Sequence, residues 1–427
     1  MPGAALSNIA VIHGSIAHPL TPRRRLATRA GALAGCLLLA LIVAGALAGP
    51  ASAQGSVMDT PCFGAAARDP EARCVNPSLK LTVFPAPTDA LLQPNAPCTP
   101  LGRAGLLFPC TFGAPRKPGG ETAALVGDSH AAHWRAAVNV VAEAHDWHGV
   151  SLTRAGCPLI SARVILPDGE TASCERWNQA VVAWLRRHPE VSTLFVSQRT
   201  GARFEHAPGS TSYETAVRGY MTRWRTLPRT VENVFVIRDT PRSSTAANNC
   251  VRRTHARRQP SGVLCARRRA RALQPDPAVA AARRLRSKRV HVIDLTSYFC
   301  DPAYCYEVVG GALVHKDVTH ITTVFAQTLG PYMLAKVDRI IANPGRPSLD
   351  GLLPDERRYA ECLLSERQLA LDAGGWSNVA AEHLARAKEC RAWLEERAAQ
   401  IKAAGLTGTF NRANRYAMIR QVLDVGR

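Results

Sequence analysis

The chain has 427 residues, of which 46% are apolar, 6% aromatic and 20% charged; 53 Lys and Arg against 33 Asp and Glu give a formal net charge of +20. Such a chain buries a full core and has room for more than one domain, which excludes a disordered polypeptide. It also carries thirteen cysteines, so the compartment in which it folds is the first thing to settle.

Arg23, Arg24, Arg25 and Arg29 precede an apolar run over 30–48, and Ala51-Ser52-Ala53 then offers small residues for cleavage before Gln54. Residues 1–53 therefore read as a signal peptide or an N-terminal membrane anchor. Either way the folded part lies outside the cytoplasm: periplasmic, on the cell surface or secreted. Cys36 belongs to this leader, and the other twelve cysteines follow it. No Cys-x-x-Cys occurs, so disulfides suit them better than zinc. Sequential pairing gives compact loops: Cys62 with Cys74, Cys98 with Cys110, Cys157 with Cys174, Cys250 with Cys265, Cys300 with Cys305, and Cys362 with Cys390. Spacing alone does not fix that connectivity.

Residues 54–119 are rich in Pro and Gly, with four cysteines and weak periodicity; they read as a disulfide-pinned segment, either a stalk or a small module. From 120 to 340 short apolar runs alternate with amphipathic stretches. Strands are expected at Ala123–Val126, Val150–Thr153, Thr193–Ser197, Asn233–Arg238 and Val290–Leu295, and helices near Ala131–His145, Ser173–Arg187, Ser212–Thr226, Pro277–Ser287 and Thr322–Ala335. That alternation predicts an α/β fold, a parallel sheet covered by helices on both faces. Tyr306–Lys316, with Gly310-Gly311 between apolar flanks, reads as a β-hairpin. Between Arg252 and Arg289 stand thirteen Arg and Lys and a single acid, Asp276. This basic insertion is either a solvated face or a contact for an anionic envelope surface; an exported chain rarely meets nucleic acid. Residues 345–427 are rich in Ala, Glu and Arg, with helical patterns at about Asp355–Asp372, Ser377–Ala404 and Asn411–Val425; they form a helical appendage to which no chemistry is assigned.

The chemistry concentrates at two places. Ser129 follows the strand Ala123–Val126 and the turn residue Gly127, and precedes a helix. There a hydroxyl stands at the carboxyl edge of a sheet with helical N–H groups aimed at whatever it attacks. A serine needs a base, and Asp317-Val318-Thr319-His320 supplies one: His320 to take the proton, Asp317 to orient the ring. The plainer reading is that Asp128 or Ser129 caps the helix. Asp128, His130, His133 and His320 can also be drawn as a metal site, although a triad plus packing explains them equally well. Trp134 and Trp177 read as core, Asn178 as a residue that holds a loop, and Asp294 as structural.

Together these residues resemble the SGNH (GDSL-like) hydrolase superfamily, and most closely the SGNH domain attached to membrane acyltransferase-3 proteins that O-acetylate bacterial surface sugars. The resemblance is carried by Gly127-Asp128-Ser129-His130, Ala131-Ala132-His133-Trp134, Gly156-Cys157-Pro158-Leu159, Cys174 with Trp177-Asn178, Asp294-Leu295-Thr296 with Tyr298-Phe299-Cys300 and Cys305, and Asp317-Val318-Thr319-His320-Ile321-Thr322. It covers roughly 120–336. It implies a three-layer, flavodoxin-like sheet and an exported serine esterase or O-acyltransferase acting on acyl groups, most simply acetyl, of envelope glycans, with no cofactor or metal. It implies oxyanion donors at the Ser129 N–H and at Gly156. A third donor, an asparagine in the superfamily, is absent here: the chain reads Ser197-Gln198-Arg199, leaving Gln198 or Arg199 to substitute. Since close relatives carry a fused multi-span domain, the acyl group would come from a separate membrane acyltransferase. Two rival readings remain: a non-catalytic envelope- or glycan-binding protein on the same fold, and a metal-dependent phosphoesterase using Asp128, His130 and His320.

Overall fold

The computed structural model describes residues 56–342, except 73 and 168. The leader, the C-terminal helical patterns, and Cys362 with Cys390 lie outside the described residues. Seven strands form one sheet: β1 (Thr99–Pro100), β2 (Cys110–Gly113), β3 (Thr122–Gly127), β4 (His148–Thr153), β5 (Val191–Ser197), β6 (Asn233–Ile237) and β7 (Val290–Ile293), in the order β1-β2-β4-β3-β5-β6-β7. The five strands from β3 to β7 pair in parallel, while β1 and β2 add antiparallel at one edge. Among the helices are α1 (Ser129–Ala144), α2 (Glu170–Arg187), α3 (Ser212–Arg225), α4 (Thr245–Ala256), α5 (Pro277–Leu285), α6 (Thr323–Thr328) and α7 (Gly330–Ala342).

The side-chain alternation of a strand explains the two cores. Ala123, Leu125, Phe195, Phe235 and Ile237 point to one face, where Trp134 and Val141 of α1, Phe325 of α6 and Met333 of α7 close over them. Ala124, Val126, Leu194, Val196, Val234 and Val236 point to the other, against Val181 and Leu185 of α2, Tyr220 and Trp224 of α3 and Ala278 of α5. Every residue of β3 is buried, because it lies mid-sheet with helices on both sides. No helix among the described residues is long and apolar enough to cross a membrane.

Three differences from the sequence expectations have physical causes. Residues 54–119 do more than lead into the sheet: β1 and β2 extend its edge, and Phe63, Leu79 and Ala96 pack into the α1 core. Strands of two and four residues carry too few positions for any alternation to show. The last expected helix divides into α6 and α7 at Leu329-Gly330. The basic stretch begins in the last turn of α4, a helix that was not expected, and is partly a structural layer. Arg289 donates to the carbonyls of Pro228, Val231, Trp224 and Leu227 and so closes the end of α3.

Five of the six sequential cysteine pairs are bonded: 62–74, 98–110, 157–174, 250–265 and 300–305. Such a set belongs to a chain that matures outside a reducing cytoplasm. The Cys157–Cys174 bridge anchors the loop after β4 to α2. Asn178 holds the same loop by accepting from the Ile160 N–H at 2.8 Å and donating to the Pro158 carbonyl at 3.0 Å. Replacing Cys157 and Cys174 together by serine is expected to cost about 3 kcal/mol, the value for closing a loop of this length. A urea midpoint equal to that of the native chain would mean Asn178 alone suffices.

Candidate functional site

Ser129 is the first residue of α1, at the carboxyl end of the central strand β3, the edge where open α/β sheets gather their sites. Asp128 caps the helix, accepting from the His130 N–H at 2.8 Å through Oδ1 and from the Arg199 N–H at 3.0 Å through Oδ2. The capping role and the approach to Ser129 thus coexist: the buried Asp128 ties the start of α1 to the loop after β5. Burial raises its carboxyl above the usual range.

Asp317 and His320 arrive on the loop between the hairpin Val308–Leu313 and α6. Thr322 caps α6. His315 fixes the other end, with Nδ1 on Glu307 at 2.8 Å and Nε2 on the Pro241 carbonyl at 2.7 Å. Asp317 accepts from the Thr319 and His320 N–H groups, each at 2.8 Å, and meets His320 Nδ1 at 2.8 Å. An ionised carboxylate only accepts, so Nδ1 carries the proton and Nε2 presents a lone pair. That Nε2 lies 2.8 Å from Ser129 Oγ. The structure therefore joins Ser129, His320 and Asp317, residues up to 191 positions apart in sequence, in one hydrogen-bonded line. Side chains of His320 and Asp317 are 25% and 39% exposed, so this line opens on solvent instead of ending in a deep cavity.

Burial pushes the Asp317 carboxyl up, but the His320 ring and the two backbone N–H groups pull it far below the usual range. A folded-state value below the unfolded one stabilises the loop fully above about pH 4, the ordinary aspartate value, and that stabilisation is lost as pH falls through the depressed folded-state value. Protection factors of the Thr319 and His320 amides are expected to drop on acidification from roughly pH 4 downward. Constant factors over that range would contradict it.

Behind the line lies a buried layer for which the sequence offered no signal except the position of Asp239 at the end of a strand. His130 Nδ1 lies 2.6 Å from Asp239 Oδ1, while Asp239 Oδ2 accepts from the Thr200 N–H at 2.8 Å and the Thr200 hydroxyl at 3.0 Å. Burial works against the charged form of both partners. Their mutual attraction outweighs it, raising His130 and lowering Asp239. His133, packed 4.8 Å from the His130 ring and 5.9 Å from the His320 ring between centroids, is pushed well down by burial and is neutral. Two residues of the metal reading are committed elsewhere: both Asp128 oxygens accept from backbone N–H groups, and both His320 nitrogens are hydrogen-bonded. Among the described residues no group of three His, Cys, Asp or Glu is spaced to hold a metal ion.

The remaining expected residues have varied surroundings. Gly156 sits at a left-handed φ of 69° in an exposed turn, and that turn is tied to β3 by the Arg154 N–H on the Gly127 carbonyl at 3.0 Å. Gln198 is 2% exposed, and neither polar atom of its carboxamide has a partner. Trp134 and Trp177 are core, at 1% and 2% exposure. Asp294 accepts from the Thr296 N–H and pairs with Arg238, a structural role.

No curated protein matches the sequence. Among solved structures, the chain is similar to the periplasmic domain of a lipopolysaccharide acetyltransferase from Salmonella ser. Paratyphi A, with 13% identity, a TM-score of 0.40, and coverage of 53% of this chain and 85% of that one. The family model described as the SGNH domain (fused to AT3 domains) matches residues 97–335. That span runs from β1 to α7 and takes in Ser129, Gly156, Gln198, Asp317 and His320, more than half of the chain, and the chain belongs to this family.

Proposed function

We propose that the chain is an extracytoplasmic serine esterase or O-acyltransferase acting on acetyl groups of envelope glycans. Ser129 Oγ attacks the ester carbonyl carbon while His320 Nε2 takes its proton and Asp317 stabilises the imidazolium. The proton passes to the departing alkoxide, leaving the acyl group on Ser129. Water or a sugar hydroxyl, deprotonated by the same His320, then attacks that acyl carbon and releases Ser129. The N–H groups of Ser129 and Gly156 and the Gln198 carboxamide are the proposed oxyanion donors. Gln198 is suited to this because its amide is already desolvated and unpaired.

The observation that carries this reading is the line Asp317–His320–Ser129, with two 2.8 Å contacts; a carboxylate at Nδ1 leaves Nε2 to accept, as base catalysis requires. In a family described by fusion to AT3 domains, the acyl donor for transfer would be a multi-span membrane acyltransferase. The test is to incubate the oxidised chain with p-nitrophenyl acetate and map the acetyl group by peptide mass. Acetyl on Ser129, absent in His320→Ala, is expected. Release of p-nitrophenol at the same rate by Ser129→Ala would sink the reading in favour of a binding protein.

A further inference from the structure

Two arginines with no ion-pair partner among the described residues converge over Gly201, in the loop after β5. Arg199 follows Gln198 in the loop after β5, and its backbone N–H is bonded to Asp128, the residue before the nucleophile. Arg242 follows β6. The next residue, Ser243, donates its N–H to the Val318 carbonyl at 3.0 Å, between Asp317 and His320. The two arginines are thus tied to the two halves of the catalytic line. They meet over Gly201, where a Cβ would lie 3.7 Å from Arg242 Nη1 and 3.8 Å from Arg199 Nε.

Among the described residues neither guanidinium has an ion-pair partner. Arg199 reaches the Gly201 carbonyl at 3.5 Å, and the buried Arg242 Nε has no partner. A third guanidinium, from Arg267, is bonded to the Arg242 carbonyl. Positive groups brought this close repel one another unless an anion stands between them. The backbone beneath is not free to relax, because Thr200 is clamped by the buried Asp239 and the Arg199 N–H by the buried Asp128. A rigid turn that holds two forked donors, Arg199 exposed and Arg242 half-buried, matches the planar, two-oxygen face of a carboxylate or phosphate.

We propose that Arg199 and Arg242 form an anion subsite that takes an acidic substituent, carboxylate or phosphate, of the glycan presented to Ser129. The proposal rests on the acyl-transfer reading for the identity of the ligand, while binding itself does not require turnover. Calorimetry on the full chain in phosphate-free buffer, with tetragalacturonate, glucose 6-phosphate and neutral maltotetraose as probes, tests it. An acidic probe is expected to bind the native chain and the neutral one is not. Arg199→Gln and Arg242→Gln are each expected to weaken binding tenfold or more. Arg199→Lys and Arg242→Lys, which keep the charge and lose the fork, are expected to fall between. The better of the two acidic probes identifies the source of the charge. Arg252→Gln with Arg253→Gln, a change to the general basic surface, is expected to bind as the native chain does.

The proposal is overturned if neither acidic probe binds, if the Gln variants bind like the native chain, or if the Arg252/Arg253 change costs as much. Repeating the titration on Ser129→Ala separates the two readings. Binding there alongside an inactive native chain would reject the acyl-transfer chemistry and keep the subsite. An active native chain that binds no anion would do the reverse.

Discussion

Ser129→Ala and His320→Ala are each expected to lower ester turnover by a factor on the order of 10³ to 10⁶, and the double variant by little more than the worse of the two. The non-additivity is the sharper half of the expectation. His320 contributes by taking the Ser129 proton across a 2.8 Å contact, so once the hydroxyl is gone the base has nothing to activate. What survives in either variant is whatever the proposed backbone donors at residue 129 and Gly156 supply to a water attack. Asp317→Asn is expected to follow with a loss of about 10³ to 10⁴, because an amide can donate to Nδ1 and turn the ring to the tautomer whose Nε2 cannot accept. The half-exposed setting of Asp317 favours the lower end, since water can partly replace the lost acceptor. The measurement is kcat/KM on p-nitrophenyl acetate for the three single variants and the double. Losses that multiply in the double variant would mean that Ser129 and His320 act independently, and the triad would have to be abandoned.

The three residues of the hydrogen-bonded line were legible in the sequence because each sits at a boundary that periodicity exposes. An all-apolar run ending in Gly127 announces a buried strand, and Asp317 and His320 stand just before a helix whose cap is Thr322. The parallel sheet was legible for the same reason. The edge strands β1 and β2 were not, because two- and four-residue strands held by the Cys98–Cys110 bridge have no pattern to read. Nor was the buried layer of His130, Asp239 and Thr200. Each is a common residue at a loop or helix start, and only the closing of β3, β5 and β6 side by side brings them together. The basic stretch divides between the two. Many of its arginines are exposed, while the expected helix α5 packs Ala278, Ala281 and Ala282 into the core and Arg289 is spent on carbonyls.

Gly127 shows how a correct residue can be assigned for an incomplete reason, and it sets the second large effect. The sequence suggests a glycine that permits a turn, and φ at 151° agrees. The structure adds a close approach. In register with Ser197 on β5, Gly127 has no room for a side chain: a Cβ would fall 2.0 Å from the Ser197 carbonyl oxygen and 2.9 Å from Ala131 Cβ. The first obstacle is backbone of a neighbouring central strand and cannot rotate away, so β3 and β5 would have to part where the Asp128–Arg199 bond closes the site. Gly127→Ala is therefore expected to cost on the order of 4 kcal/mol, strain in φ plus overpacking, and to lower Tm by roughly 10 °C. Gly209→Ala isolates the two causes. Its φ is also positive, at 77°, but nothing lies within 4 Å of the added carbon, so it is expected to cost only about 1 kcal/mol. Calorimetry of both variants with disulfides intact decides the matter. A Gly127→Ala chain that melts alongside Gly209→Ala would mean the strands absorb the methyl group, and the rigid seat assigned to Ser129 would no longer follow from the packing of β3 on β5.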